Sequence, residues 1–309
     1  MKLSLVVPVV RPEAHLGKLF DTLIKSCKSA KNIELIVVNQ SGTSIRSMCG
    51  GLPMDVREVM TQTIIPAANA RNLGALEAVG EFLFFLDDDA LLIAEPQEFC
   101  RLIEELTPQL AAAVCHRGEL IDGTYLSHWP TGVTRITVQN FSAFCIEWNF
   151  IVRRELFFSS GAFPEIGTGS QHAALSGEIF VLAARLLGCG HSLNTINFIR
   201  VAHPSLLKPR NTATNLLGYY YGSGYAVGIS FNYFSLWAKI YWITRVAVAA
   251  IFDSTHRYRT YKDCIKPELA GLRVKLSRAR LVGFADGLFG REVKQHNWLS
   301  SMVANGKKL

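Results

Sequence analysis

The residues best suited to chemistry stand side by side: Asp87, Asp88 and Asp89 follow the apolar run Phe82–Leu86 and precede Ala90, Leu91 and Leu92. Adjacent carboxylates repel, and each pays desolvation beside apolar neighbours, so something must compensate them. If the segment is extended, side chains alternate with period two, and Asp87 and Asp89 can point the same way. Two hard oxygen ligands on one side, with room for phosphate oxygens and water, suit Mg2+ or Mn2+. The alternative, an acidic turn capping the next helix, accounts for one aspartate but not for three. The sequence has no H-E-x-x-H metal spacing, no G-x-x-x-x-G-K-[ST] loop, and no G-x-G-x-x-G after its first apolar run. A zincin, a P-loop NTPase and a dinucleotide dehydrogenase are therefore disfavoured.

A cluster of this kind needs strands to deliver it. Leu3–Val10 is a β-branched run, and its early proline and charge make it a first strand rather than a signal peptide. Leu16, Leu19, Phe20, Leu23, Ile24 and Cys27 recur at helical spacing and predict a helix from about Glu13 to Ser29. "IELIVVNQSG" and "MDVREVM" read as strands, and "PAANARNLGALEAVG" as a helix with Pro66 near its start and Gly80 past its end. "EFLFFL" is then a fourth strand, with the aspartates just beyond its carboxyl end. Strands alternating with helices indicate a mostly parallel α/β sheet, and ligands bind such sheets at that edge. Further on, the patterns predict a helix over Pro96–Thr107, strands at Ala111–Leu120, Thr134–Gln139 and Thr195–His203, and a helix opening "GEIFVLAARLLGCG". Between them lies the glycine-rich loop "GAFPEIGTGSQHAALSG", too polar to be buried without a ligand or partner.

The chain has 309 residues, 49% of them hydrophobic, enough for a large core. Seven cysteines without a C-x-x-C pair point to thiols in a reducing cytosol rather than a zinc ribbon or disulfide framework. The net charge of +7 belongs to the stretch from Asp253 onward, which holds twelve Lys or Arg against five Asp or Glu. Before it comes "GYYYGSGYAVGISFNYFSLW", rich in Tyr, Phe and Gly, and then "IYWITRVAVAAIF", interrupted by Arg245. No window has the unbroken apolarity of a membrane-spanning helix. Aromatics beside a basic tail suit an anionic membrane surface, or they cap the core beneath solvated charges. Nucleic-acid binding is disfavoured because the basic residues are dispersed among apolar ones.

Taken together, "LSLVVPVV", "IELIVVNQS", "ARNLGALEAVGEFLFFLDDDA" and "SGE…LAARLLGCG" resemble the family 2 glycosyltransferases of GT-A fold, in the family's order and spacing over residues 1 to about 205. The resemblance implies a Rossmann-like domain over 1–209, with a nucleotide half to about residue 95 and an acceptor half over 96–209. The aromatic and basic composition beyond it suggests a helical, membrane-associating extension over 210–309. The resemblance also implies a D-x-D site with Mn2+ or Mg2+, and transfer of a hexosyl or deoxyhexosyl group, with inversion, from a UDP- or dTDP-type sugar. The acceptor would be a saccharide or lipid-linked saccharide of cell-surface polysaccharide synthesis, at the cytoplasmic face of the membrane, and a homo-oligomer would fit.

Residue by residue, the resemblance places Asp87 near the ribose or base, Asp89 on the metal, and Asp88 behind them. Pro8, Val10, Asn39, Gln40 and Ser41 would end the first two strands against the base, with Asn39 standing where the family commonly has Asp. Arg71 and Asn72 would line the donor site, though a surface position is equally open to Arg71. Glu178 would be the catalytic base, ahead of Asp55, Glu147 and Glu165, in a motif whose usual second residue, Asp, is Ile179 here. A chain that lost its base at Ile179 and only binds is the alternative. His203 would be a second metal ligand or a structural histidine, and Trp148 and Asn149 would face the acceptor, unless Trp148 is core.

Overall fold

The structure is a computed structural model, and it describes residues 2–121, 124–127, 129, 135–204, 213–252 and 272–291. Strands β1 (Leu3–Val9), β2 (Ile33–Asn39), β3 (Asp55–Met60) and β4 (Phe82–Phe85) pair in parallel in the order β3-β2-β1-β4. Every residue of β2 and β4 is buried, as expected of parallel strands covered on both faces. The alternation is visible residue by residue. Leu5, Leu35, Phe82 and Phe84 join the core on one face with Leu16, Leu19 and Phe20 of helix α1 (Pro12–Cys27). Val6, Ile36, Leu83 and Phe85 join the core on the other, with Ala68 and Ala75 of α2 (Ala67–Glu77).

Helix α2 is seated by Gly74, where an added Cβ would lie 2.5 Å from Val6 Cγ1 and 3.0 Å from Val38 Cγ2. Any side chain there would lift the helix, and with it Arg71 one turn earlier. The helix ends before Gly80, whose role is close approach: its N–H donates to Ser4 Oγ and Glu34 Oε1, and a Cβ would sit 2.5 Å from that hydroxyl.

Beyond β4 the sheet becomes mixed. It continues through β9 (Phe150–Arg153), β6 (Ala112–Ile121), β10 (Leu193–Pro204) and β5 (Leu91–Ile93). Strand β9 is antiparallel to both its neighbours, while β10 runs parallel to β6. Short β7 (Thr124–Ser127) and β8 (Arg135–Ile136) pair antiparallel with β6 and β10. The strand expected over Thr134–Gln139 is cut to β8 because Asn140 Oδ1 takes the Thr137 N–H and starts a turn. Three-residue β5 gave no readable period in the sequence. Helix α3 (Pro96–Glu105) opens on a reciprocal capping box between Glu95 and Glu98.

Short helices α4 (Phe141–Phe144) and α5 (Arg154–Ser159) precede the glycine-rich loop, and α6 (Glu178–Gly188) follows it. The C-terminal helices are α7 (Ala213–Ile229), α8 (Leu236–Phe252) and α9 (Leu272–Leu288). They are packed onto the sheet domain, with Val227, Phe231, Phe234, Trp242 and Phe284 in the same core as Phe141 and Leu182. Among the described residues, the C-terminal aromatics Tyr221, Tyr225, Phe231, Phe234, Trp242 and Phe284 are buried, while Tyr233, Trp237 and Phe289 are exposed. Helices α7 and α9 cross almost backbone to backbone: a Cβ on Gly224 would lie 2.0 Å from Arg280 O, and one on Gly283 2.1 Å from Tyr221 O. Among the described residues no helix is long and apolar enough to cross a membrane. The basic stretches 253–271 and 292–309 lie outside the described residues.

Candidate active site

The aspartates sit on a tight turn just past β4 rather than on extended strand, with the Ala90 N–H donating to Asp87 O at 3.1 Å. The turn still brings Asp87 and Asp89 together, because both converge on His203 near the end of β10. His203 Nε2 lies 2.9 Å from Asp89 Oδ1 and 3.4 Å from Asp87 Oδ2. Its Nδ1 lies 2.8 Å from Pro204 O, and as an N–H donor there it leaves Nε2 facing the carboxylates. Ligand atoms of Asp87, Asp89 and His203 all fall within 4.8 Å of one another. Two carboxylate oxygens and one imidazole nitrogen form a donor set suited to Mn2+ or Mg2+, so these residues fit the ion the sequence predicts.

The other face of Asp87 meets Arg71. Arg71 is buried, its Nη2 donating to Asp87 Oδ1 at 2.5 Å and its Nη1 to Glu178 Oε1 at 3.2 Å. One guanidinium therefore ties the aspartate turn to the start of α6. Glu178 is buried beneath the glycine-rich loop, where Gly167 has φ +100° and a Cβ would lie 2.8 Å from both carboxylate oxygens. Glu178 Oε2 is buried without a hydrogen-bond partner. The loop is held down by Gly167 N–H to Ala174 O at 2.8 Å and Ala67 N–H to Thr168 O at 3.0 Å.

Burial opposes ionisation at Asp87, but Arg71 and His203 outweigh it and hold this carboxyl well below the usual range. Asp88 is less well compensated: burial and the charges of Asp87 and Asp89 push it up to about 7, against the charge of His203 and a hydrogen bond from the Val10 backbone. Burial would lower the pKa of His203, yet its bonds to Asp87 and Asp89 push it up to about 10. Glu178 is raised well above an ordinary glutamate, first by burial and then by Glu147, with Arg71 opposing. A divalent ion must displace the His203 proton, so Mn2+ affinity is expected to rise about tenfold per pH unit below that value, with one proton released. Titration calorimetry in two buffers of different ionisation heat reads both numbers.

The remaining candidates fall into place around this centre. Trp148 is buried and stacked on His203, with ring centroids 5.1 Å apart at 9°, so it supports the histidine. Asn149, expected on the acceptor side, is fully buried: its Nδ2 donates to Cys115 O and Phe144 O, and its Oδ1 accepts the Ile146 N–H. It fixes the turn that carries Glu147, whose charge is felt at Arg71 and Glu178. Asn39 is also fully buried and spent internally, its Nδ2 donating to Thr43 O and Glu58 Oε1 and its Oδ1 accepting from Ser41. Gln40 Oε1 accepts the Ile65 N–H. Asn72 clamps the Phe163 backbone from both sides. Pro8, Val10 and Ser41 stand at the carboxyl ends of β1 and β2, with Val10 exposed. Asp55 begins β3, at the opposite edge of the sheet from Asp87, and Glu165 is exposed.

Ile179 points away from the site into the core, 1% exposed beside Leu182 and Ala183. An aspartate there would be buried without a partner, so Ile179→Asp is expected to destabilise the fold by about 3 kcal/mol or more. A fall in denaturant midpoint without gain of activity checks this. Tyr219 was missed in the sequence. This half-exposed tyrosine of α7 is hydrogen-bonded to Thr168, and its pKa is raised by burial and by Asp87, Glu178 and Glu147. It therefore stands beside the glycine-rich loop within reach of the same charges, although only the unusual run "GYYYG" marked the segment.

Comparison with known proteins accords with this geometry. The family model described as glycosyl transferase family 2 matches residues 4–163, just over half the chain. An uncharacterized glycosyltransferase of Haemophilus influenzae is 29% identical over 108 residues, 35% of this chain and 36% of that protein. Among solved structures, S. aureus TarS 1-349 in complex with UDP-GlcNAc superposes with TM-score 0.54 at 14% identity, over 94% of this chain and 93% of that one. Against the longer TarS structure the chain spans 55% of the length, with TM-score 0.53 at 14% identity over 93% of this chain. The mannosyltransferase PcManGT of Pyrobaculum calidifontis, in complex with GDP-Man and Mn2+, gives TM-score 0.58 at 15% identity, over 94% of this chain and 88% of that one.

Proposed function

The chain belongs to glycosyl transferase family 2, and from that premise we propose that it is a metal-dependent inverting glycosyltransferase. The observation that carries the reading is the convergence of Asp87, Asp89 and His203 at a sheet edge, with Glu178 held across Arg71. The donor is a nucleotide-diphosphate sugar, of UDP or dTDP type, and the fold neighbours in complex with UDP-GlcNAc or GDP-Man support that class. The acceptor is a hydroxyl of a saccharide or lipid-linked saccharide in cell-surface polysaccharide synthesis, on the cytoplasmic side.

Asp87, Asp89 and His203 would hold the divalent ion, which when bound supplies positive charge to the diphosphate leaving group. Glu178 takes the proton of the acceptor hydroxyl, and burial beside Glu147 makes it a stronger base than a free glutamate. The hydroxyl oxygen bonds to the anomeric carbon as the carbon–oxygen bond to phosphate breaks, and that electron pair leaves with the nucleotide diphosphate. Arg71 keeps Glu178 ionisable and aimed, and the glycine-rich loop excludes water from it. A thermal-shift screen of nucleotide diphosphates and nucleotide sugars, with and without Mn2+, tests the reading. Stabilisation by one donor only in the presence of metal supports it, and no response to any of them overturns it. A binding-only protein is the second reading, raised by Ile179 where the family motif has Asp, although that side chain points into the core and not toward the site. Donor stabilisation without sugar transfer or donor hydrolysis would select it.

A further inference from the structure

We propose that the outward face of α8 is a docking surface for an anionic lipid bilayer. The proposal concerns where the protein sits rather than what it transfers, so it stands or falls separately from the transferase reading. The helix has two unlike apolar sides. Ala238, Trp242 and Val246, spaced by four, are buried in the main core. Trp242 Nε1 donates to Val138 O at 2.9 Å and Tyr241 OH to Gln139 O at 3.1 Å, which fixes the helix rotation.

That rotation turns Leu236, Trp237, Ile240, Ile243 and Val248 outward, with Trp237 78% and Leu236 69% exposed. At 3.6 residues per turn they share one continuous arc with Thr244 and Ala247. Such an arc carries no charged residue. Lys239 borders it on one side and Arg245 on the other, and no Asp or Glu occurs anywhere in 213–252. Arg245 is exposed beside the arc, its guanidinium over the Trp242 ring at 5.1 Å and donating to Tyr241 OH at 2.7 Å and Gln139 O at 3.4 Å.

An apolar strip with a tryptophan, a cationic rim and no carboxylate is the pattern of a helix lying in the headgroup region of an anionic membrane. A second copy of the chain fits less well, because a two-fold contact would bring cationic rims together with no acid on the helix to receive them. Spanning is not at issue, since no described helix is long and apolar enough to cross.

Sedimentation of the full chain with vesicles tests this. Vesicles in which about a third of the lipid is phosphatidylglycerol should retain the protein, and pure phosphatidylcholine or raised salt should weaken binding at least about tenfold. The double variant Trp237→Glu, Ile240→Glu should lower partitioning into anionic vesicles by about tenfold or more, with unchanged melting temperature and donor response. Trp237→Ala, a milder change at an exposed site, should give a graded loss if the double variant folds poorly. Unaltered partitioning of both variants overturns the proposal, as does failure of the wild type to bind. A wild-type dimer that the double variant turns into monomer also overturns it, by showing that a second copy covers the face.

Discussion

Replacing Glu178 by Gln should lower the transfer rate constant about 10²- to 10⁴-fold while leaving donor affinity nearly unchanged. The amide keeps the shape, and its oxygen can still accept the Arg71 Nη1 bond that Glu178 Oε1 accepts at 3.2 Å. What it loses is the ability to take a proton. The change should not destabilise the fold. Glu178 is buried with one oxygen unpartnered and its pKa raised, so the folded state favours the protonated form. The stability from that preference is present at low pH and is lost as pH rises through the raised value. At neutral pH a neutral amide should therefore match or exceed the wild type in melting temperature. The wild-type rate should climb with pH through the same value, and the variant should lack that limb. Loss of rate together with stability would mean that Glu178 is structural.

The second large effect is expected at Asp89. Asp89→Ala removes one of three converging ligand atoms and the nearer of the two carboxylates facing His203 Nε2, 2.9 Å away. Mn2+ affinity should fall at least about 100-fold, and kcat/KM about 10³-fold at fixed metal, the loss of roughly 4 kcal/mol of charge stabilisation at the leaving group. Deprived of one carboxylate, His203 should titrate below the value of about 10 that the pair imposes, which NMR of its ring protons can follow. An unchanged metal titration would remove Asp89 from the ligand set.

Much of this was legible in the sequence for identifiable reasons. Strands β1, β2 and β4 are largely apolar runs, broken only by Ser4, Glu34 and Asn39, because they are buried on both faces, and α1 carries a clean helical period because only one side is covered. The triple aspartate announced a compensated site, and His203 followed a readable strand. The compensation itself was not readable. Arg71 sits sixteen residues from Asp87 and 107 from Glu178, and only the close seating of α2 at Gly74 brings it between them. Asn39 and Asn149 read as ligand-facing amides, yet each is enclosed by backbone partners that sequence does not reveal. Tyr219 was hidden among neighbouring tyrosines, of which Tyr221 is wholly buried against Asp286.

The crossing of α7 and α9 bears on how the protein comes to be active. Helix α7 abuts the residue just before Glu178: a Cβ on Gly177 would lie 2.7 Å from Ala226 Cβ and 2.8 Å from Gly222 O. Helix α7 is in turn gripped by α9, more than fifty residues later, through the glycines of both helices and the Tyr221–Asp286 bond. A nascent chain released from the ribosome up to Pro204 would hold Asp87, Asp89 and His203, the proposed metal ligands, but lack the brace on the start of α6. Catalytic competence should therefore emerge late in synthesis, only once the segment through Leu288 has cleared the exit tunnel and closed on α7. A stop codon within α9 would leave a protein able to capture metal but poorly able to transfer sugar.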